Sequence, residues 1–322
     1  MPATGVTLAG SAGSLNESLN TIISEFKILR DDTGVVRSSA TQMTLKPHEG
    51  ATKNVLNYNR VVAYGVSDGL DIAQAQQLTD SLTSFTPSEV AVQVVLGGRT
   101  MRRVADPNLL SQTGRILNNA YNLKEDQDGI TQLASFTGSA TLGAAGTVLS
   151  PGLIAAGAAR LAVGDNRANP EPAPAPWYAI VHPYAALPLW GRMVPLATTP
   201  AGGTAYGVNT GAHVGTSVTL GINDHARLLK EGIGGIGTLA GVLVKQDANF
   251  SVDTNDDFTG AIFSKEGLIY VSEEEPRMDN DTSDKSMRGA VEVNVWGSYV
   301  FGNYRPANYG IPLTVDASTP TS

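Results

Sequence analysis

The chain contains no cysteine, which excludes disulfide staples, thiol nucleophiles and thiolate-held metals together. It is also poor in charge: Asp, Glu, Lys and Arg make up 16% of its 322 residues, with a formal net charge of -8. No basic run reaches five residues, and Arg102 with Arg103 is the densest cluster, so the electrostatic footprint of a nucleic-acid binder is missing. Long apolar runs are lacking too. The most apolar stretch, residues 137–163, is built mainly of Gly, Ala, Ser and Thr and is broken by Pro151. It falls short of the roughly 20 strongly apolar residues that a membrane span needs. The first twenty residues, MPATGVTLAGSAGSLNESLN, have neither a basic start nor an apolar core, and read as a polar arm, not a secretory signal.

What is present is ample hydrophobic material, 42% of the chain, together with 35 glycines and 17 prolines. That is enough for one large or two ordinary domains, and the Gly and Pro content implies many turns and close backbone approaches in a mixed α and β protein.

Residues 36–66 place two strand-like runs around the turn Lys46-Pro47-His48-Glu49-Gly50, with Met43 and Leu45 on one side and Val61 and Val62 on the other. This predicts a long, polar hairpin that buries too little to stand alone and must lie on something else. Residues 68–85 carry Ile72, Ala75, Leu78, Leu82 and Phe85 at helical spacing, predicting an amphipathic helix. Thr86-Pro87-Ser88-Glu89 has the form of a capping box, yet the VAVQVVLGG that follows is too rich in valine, and a strand is expected there. Residues 106–136 predict one helix of roughly thirty residues, capped by Asp106 and begun by Pro107, with Leu109, Thr113, Ile116, Ala120, Leu123, Ile130 and Ala134 near one face.

After a Gly/Ala/Thr connector, Ser150-Pro151 opens a short helix ending near Gly164. NPEPAPAPW reads as an extended loop, WYAIVHPYAALPLW as a buried strand and turn, and DHARLLKE as a helix-like segment in a Gly- and Thr-rich region. Val291, Val293, Val295, Tyr299 and Phe301 fit β-structure interrupted at Gly297.

Several motifs invite a catalytic reading. Gly232, Gly234 and Gly237 match G-x-G-x-x-G, but the dinucleotide fingerprint needs a strand before the glycines and a helix after them. Here a helix-like segment precedes and the strand-like TLAGVLVKQ follows, so a turn between helix and strand is the expectation. Gly65-Val66-Ser67-Asp68-Gly69 matches G-x-S-x-G between an apolar run and the expected helix. A serine hydrolase using Ser67 also needs a downstream acid, a histidine and successive βαβ units, and the Gly/Pro-rich middle offers no such alternation. Asp68 serves equally as a helix N-cap. His48, His182, His213 and His225 show no metal-ligand spacing, and the acidic loops DTNDDFTG and DNDTSDK lack the glycine and terminal glutamate of a calcium loop. Lys46 and Lys53 flank the hairpin turn without a visible acidic activator and read as exposed lysines. No catalytic residue, metal ligand or cofactor is assigned.

A polar hairpin, a helix, a valine-rich strand, a very long helix, a Gly-rich region and a closing β-segment, in this order, resemble the major capsid proteins of tailed double-stranded DNA bacteriophages, the Hong Kong phage capsid fold. FTPSEVAVQVVLGGRTMRRVADPNLL leading into the long helix carries the resemblance, with WYAIVHPYAALPLW and AIFSKEGLIYVSEEE.

The resemblance implies an α+β fold with an N-terminal arm (1–35), an extended loop across a neighbouring subunit (36–66), a peripheral domain (67–139) with a spine helix (106–136), an axial domain (140–280) and returning peripheral strands with the tail (281–322). Lys46, Pro47, His48, Glu49, Gly50 and Lys53, at the expected loop tip, would be an inter-subunit contact. It further implies a structural protein of the virion capsid, assembled in the host cytoplasm into pentamers and hexamers of an icosahedral shell. Its partners would be a portal, a separate scaffolding protein, since the arm is too short to hold a scaffolding domain, and a decoration protein. DNA would be enclosed without sequence-specific binding, and no membrane is involved. The crosslinking chemistry of some relatives is not transferred. An encapsulin-like cargo compartment of the same fold is the alternative, distinguished by co-purified cargo enzyme in place of nucleic acid.

Overall fold

The computed structural model describes residues 34–58, 61, 63, 65, 76–99, 109–138, 140–164, 171–193, 235–281 and 291–320. In chain order these form α1 (Val36–Ser39), β1 (Thr41–Thr44), β2 (Lys53–Tyr58), β3 (Asp80–Phe85), β4 (Ser88–Leu96), α2 (Leu109–Ala134), β5 (Leu142–Gly143), α3 (Pro151–Val163), β6 (Trp177–Val181), α4 (Pro183–Met193), β7 (Gly235–Leu239), β8 (Val242–Gln246), β9 (Asp257–Ser264), β10 (Leu268–Asp281), β11 (Val291–Asn303) and β12 (Gly310–Asp316).

Three β assemblies result: a four-stranded sheet in the order β1-β10-β11-β4, a six-stranded sheet in the order β5-β12-β9-β6-β8-β7, and a separate ribbon, β2 with β3. One antiparallel pair runs through both sheets. β9 pairs with β12 in the larger sheet, the chain passes through the short turn Lys265–Gly267, and β10 pairs with β11 in the smaller one. Tyr304 N–H donates to Gly267 C=O (2.9 Å) and Ser264 N–H to Tyr309 C=O (2.9 Å) at the crossing. Glycine is required there, since a Cβ on residue 267 would stand 2.7 Å from the Tyr309 carbonyl oxygen. The domain border expected at residue 280 therefore falls inside β10, and β12 joins the larger sheet instead of returning with β11.

The long helix is present as α2, and its buried face is the expected one only in part: Thr113 and Ile130 are buried as expected. Leu117, Tyr121, Ile130 and Leu133 are buried, whereas Ile116 is 52% exposed and Ala120 and Ala134 face outward. Glu125 and Asp126 lie on the buried stripe. A pattern search that scores carboxylates as outward-facing skips this stripe, because buried charge is allowed only where the fold supplies partners. Gly129 marks close packing: a Cβ there would lie 2.6 Å from Val36 Cγ1.

The hairpin centred on residues 46–50 is not formed. β1 instead pairs in parallel with β10, and β2 pairs antiparallel with β3, from Lys53 opposite Phe85 to Tyr58 opposite Asp80. The C-terminal part of the expected 68–85 helix is thus a strand, and residues 66–75 lie outside the described ones. Ser81, Thr83 and Ser84 are weak helix formers, and the edge offered by β2 decides their conformation. The valine-rich segment is the strand β4, as expected. The turn expected within WYAIVHPYAALPLW is helix α4, which buries Ala185, Ala186 and Leu189. Helix α3 has the expected ends: the Ser150 hydroxyl accepts from Leu153 N–H (3.3 Å), and Gly164 closes it at φ 78°. DHARLLKE lies outside the described residues.

The main core runs between α2, α3, α4 and both sheets, with Phe136, Ile180, Ile262, Phe263 and Leu313 at its centre. A small second core of Leu45, Phe85, Ile269 and Val271 fastens the ribbon's root to the four-stranded sheet. Among the described residues no helix is long and apolar enough to cross a membrane.

Candidate functional site

Lys46, Pro47, His48, Glu49, Gly50 and Lys53 do gather in one turn, and its geometry follows from its residues. Pro47 occupies the second position, His48 the third at φ 71°, and Glu49 N–H closes the turn on Lys46 C=O at 3.1 Å. This is a type II turn with histidine where glycine is favoured. One Glu49 oxygen accepts from Lys46 N–H (3.2 Å) and from Lys53 Nζ (3.2 Å). The Lys46 amide, and then Lys53, hold the Glu49 carboxyl below its ordinary pKa. Lys53 therefore has an acidic neighbour that sequence reading did not supply. The turn is exposed, but it is the root of the ribbon, not its tip, because Lys53 pairs with the anchored Phe85.

The ribbon itself carries the apolar surface that the sequence did not reveal. Along β2 half-buried and exposed residues alternate, so Asn54, Leu56 and Tyr58 share the outer face. Leu82 of β3 stands directly opposite Leu56. Leu56, Tyr58 and Leu82 are 50%, 55% and 55% exposed, and Leu78 adds a further exposed side chain. Cross-strand apolar pairs stabilise a sheet when they are covered; here they face outward on a two-stranded ribbon. Arg305 steadies the far end, donating to Tyr58 C=O (3.2 Å) through one nitrogen and to Glu171 Oε1 (2.7 Å) through another. Leu82 was legible only as part of a helix stripe, so its pairing with Leu56 could not be anticipated.

Among the described residues no catalytic motif assembles into a site. Gly235–Leu239 is a strand that turns at Ala240 and Gly241 into β8, so the glycine motif is followed by strand and its positive-φ residues are 240 and 241, not the motif's own described members. Gly232 and Gly234 lie outside the described residues, as do Ser67, Asp68, His213, His225 and most of DNDTSDK. His182 is buried, and its Nδ1 accepts from Tyr184 N–H (3.2 Å) at the start of α4. Burial lowers its pKa, which suits a helix cap. In DTNDDFTG, the Asp253 carboxylate accepts from Asn255 N–H (2.8 Å) and Asp257 N–H (2.9 Å), while Asp257 accepts from Gly146 N–H (2.7 Å). The loop is therefore a self-satisfied turn, exposed from Asp253 to Asp256 and buried at Asp257 and Phe258. Among the described residues no group of three or more His, Asp or Glu is placed to hold a metal ion.

An ionic cluster around the buried Glu125 went unnoticed in the sequence. Arg37 of α1 reaches Glu125 of α2 at 3.3 Å and Glu275 of β10 at 2.9 Å, with its guanidinium 4.7 Å from the Tyr270 ring centre. Burial raises the Glu125 pKa, against the pull of Tyr270 and Arg37. The adjacent acids at 125 and 126, continuing the Thr113-Leu117-Tyr121 spacing, were the available signal.

No protein-family model matches the chain, and no curated protein matches it in sequence. Solved structures match it over nearly its whole length. A chain of the head structure of Helicobacter pylori bacteriophage KHP40 is 11% identical, with a TM-score of 0.65 over 96% of this chain and 99% of that one. The capsid of Ralstonia phage GP4 gives 13% identity and a TM-score of 0.64 over 100% and 99%. The capsid of cyanophage Pam1 gives 12% and 0.60 over 99% and 100%. Two sheets threaded by one antiparallel pair, a long helix across the smaller sheet and an outlying ribbon thus make up the α+β fold of bacteriophage capsid proteins.

Proposed function

We propose that this chain is the major capsid protein of a double-stranded DNA bacteriophage, a structural subunit without catalytic activity that polymerises into pentamers and hexamers of an icosahedral shell. The observation that carries the reading is the reciprocal, full-length similarity to phage capsid chains. The outward apolar face of the ribbon supports it, because exposed cross-strand leucines on a marginal two-stranded element suit a surface completed by a second copy. The contact residues are then Leu56, Tyr58 and Leu82, with the turn Lys46–Gly50 and Lys53 as a polar rim. The four-stranded sheet with α2 serves as the peripheral part and the six-stranded sheet as the axial part.

The net charge of -8 suits a wall that encloses DNA without adhering to it, although salt limits such repulsion to about 10 Å at 0.1 M. Portal, scaffolding and decoration proteins are the expected partners. Negative-stain electron microscopy of the purified protein, expressed with and without its neighbouring genes, tests the reading. Regular shells, or rings of five and six, are expected; a uniform population of compact monomers under every condition contradicts it.

A further inference from the structure

Gly34 and the first turn of α1 lie against both α2 and the loop after β8, and two carboxyl groups stand between them. Val35 N–H is shared between Asp126 Oδ1 (3.0 Å) and Asp247 Oδ2 (3.3 Å). Asp126 Oδ1 also accepts from Val36 N–H (3.2 Å), and its Oδ2 from Asn249 Nδ2 (2.9 Å). Asp247 Oδ1 accepts from Asn249 N–H (2.9 Å). Each aspartate is 3% exposed. A Cβ on residue 34 would stand 2.6 Å from Asp126 Oδ1, so glycine is what lets this carboxyl reach the next two amides.

Two ionised carboxyls around one N–H in a site closed to water repel strongly, whereas one proton between them turns repulsion into a hydrogen bond. The neighbouring cations are engaged elsewhere. Arg37 pairs with Glu125 and Glu275, and Lys245 donates to the Ser38 and Ser39 hydroxyls at 2.8 Å. Glu125, next along α2, adds negative charge. From β6, Val181 C=O accepts Asp247 N–H (3.0 Å), and the adjacent His182, its pKa lowered by burial, brings no positive charge at neutral pH.

We propose that Asp126 and Asp247 form a one-proton clasp, which fastens residues 34–39 to α2 and to the six-stranded sheet while the proton is held and loosens that segment when it leaves. The clasp sits where the N-terminal 33 residues join the body of the chain, and it lies within one chain, independent of whether shells form.

The direction follows from linkage. Burial, and then the hydrogen bond to Asp126, push the Asp247 pKa up from 3.8 to about 7. The closed clasp binds the proton over a range where the opened segment has lost it. Its strength is full below about pH 4 and is lost as pH rises through about 7, with the opening equilibrium growing about tenfold per pH unit across that window.

Hydrogen exchange of the full-length chain, corrected for the intrinsic pH dependence of exchange, tests this. Protection of a peptide spanning residues 34–40 is expected to fall about tenfold per unit from about pH 5 to 7, while a peptide from β9 holds steady. Asp247→Asn, whose carboxamide donates to Asp126 without a titratable proton, is expected to keep the segment protected at every pH. Wild-type protection that stays flat over this range, or Asp247→Asn retaining the wild-type slope, overturns the clasp. Should Asp247→Asn not fold, Asp126→Asn carries the same test, because it leaves a single carboxyl at the site.

Discussion

The pair β9–β12 and the ribbon β2–β3 are both antiparallel two-strand units of similar length, but they differ in what covers them. Along β9 and β12, Phe258, Ala261, Ile262, Phe263, Ile311, Leu313 and Val315 are all buried, packed by α2, α3 and neighbouring strands. On the ribbon, Leu56, Tyr58 and Leu82 are about half exposed, and only the root at Phe85 is buried. Strand formation alone thus says little about stability: the first pair is core because the fold encloses it, and the second presents an apolar face that the described residues leave about half exposed. A soluble protein carries such a face at the risk of nonspecific association unless a specific surface occupies it.

Substitutions can break this contrast. The largest loss of stability is expected in the covered pair. Phe263→Ala removes a fully buried ring stacked 5.8 Å from Phe136, and a destabilisation of about 3–5 kcal/mol is predicted from denaturant unfolding. A result below about 1 kcal/mol would mean that this pair is not core. Two glycines of α2 come next. Gly129→Ala gains helix propensity but drives a methyl against the β-branched Val36, so a net loss of about 1–3 kcal/mol is expected. Gly114→Ala meets only the flexible end of Met278 at 3.0 Å, and the propensity gain should prevail, stabilising by up to about 1 kcal/mol. Thermal melts of the two variants should therefore move in opposite directions.

At the ribbon's root, His48→Gly relieves a left-handed residue and is expected to be neutral or to stabilise by about 1 kcal/mol. A lower melting temperature for this variant would show that the histidine side chain has a role in the turn. The smallest effect is expected on the outer face itself. Leu56→Lys combined with Leu82→Glu should leave the stability of the unassembled subunit within about 0.5 kcal/mol, measured by urea unfolding, because the two leucines are about half exposed, the new aliphatic stems keep the covered part, and the opposite charges pair across the strands.

What the sequence disclosed, and what it hid, follows the same contrast. β4, α3 with its Ser150 cap and Gly164 end, and the β-structure at Val291, Val293, Val295, Tyr299 and Phe301 were legible because local signals and tertiary environment agree there, although β11 runs unbroken through Gly297, where an interruption was expected. The ribbon was misread because β3 owes its conformation to a partner more than twenty residues upstream, and Leu78, Leu82 and Phe85 mimic helical spacing. The buried face of α2 was legible at Thr113 and Ile130 but not between them, since Glu125 and Asp126 occupy it and buried carboxylates cannot be foreseen without knowing that Arg37, Val35 and Asn249 meet them. The expected contact residues fall on the polar turn at 46–50 and the proposed ones add Leu56 and Leu82, because proline and glycine announce a turn in the sequence, whereas an exposed Leu56–Leu82 pair exists only once the strand register is known.

The most direct test of the shell reading is the sedimentation velocity of the wild-type chain beside the Leu56→Lys, Leu82→Glu double variant in the same buffer near physiological salt. Wild-type protein is predicted to sediment as large, uniform particles or capsomer-sized rings, and the double variant as a folded monomer. Wild-type protein that stays monomeric, or a double variant that assembles as the wild type does, would contradict the assignment of this ribbon face to inter-subunit contact.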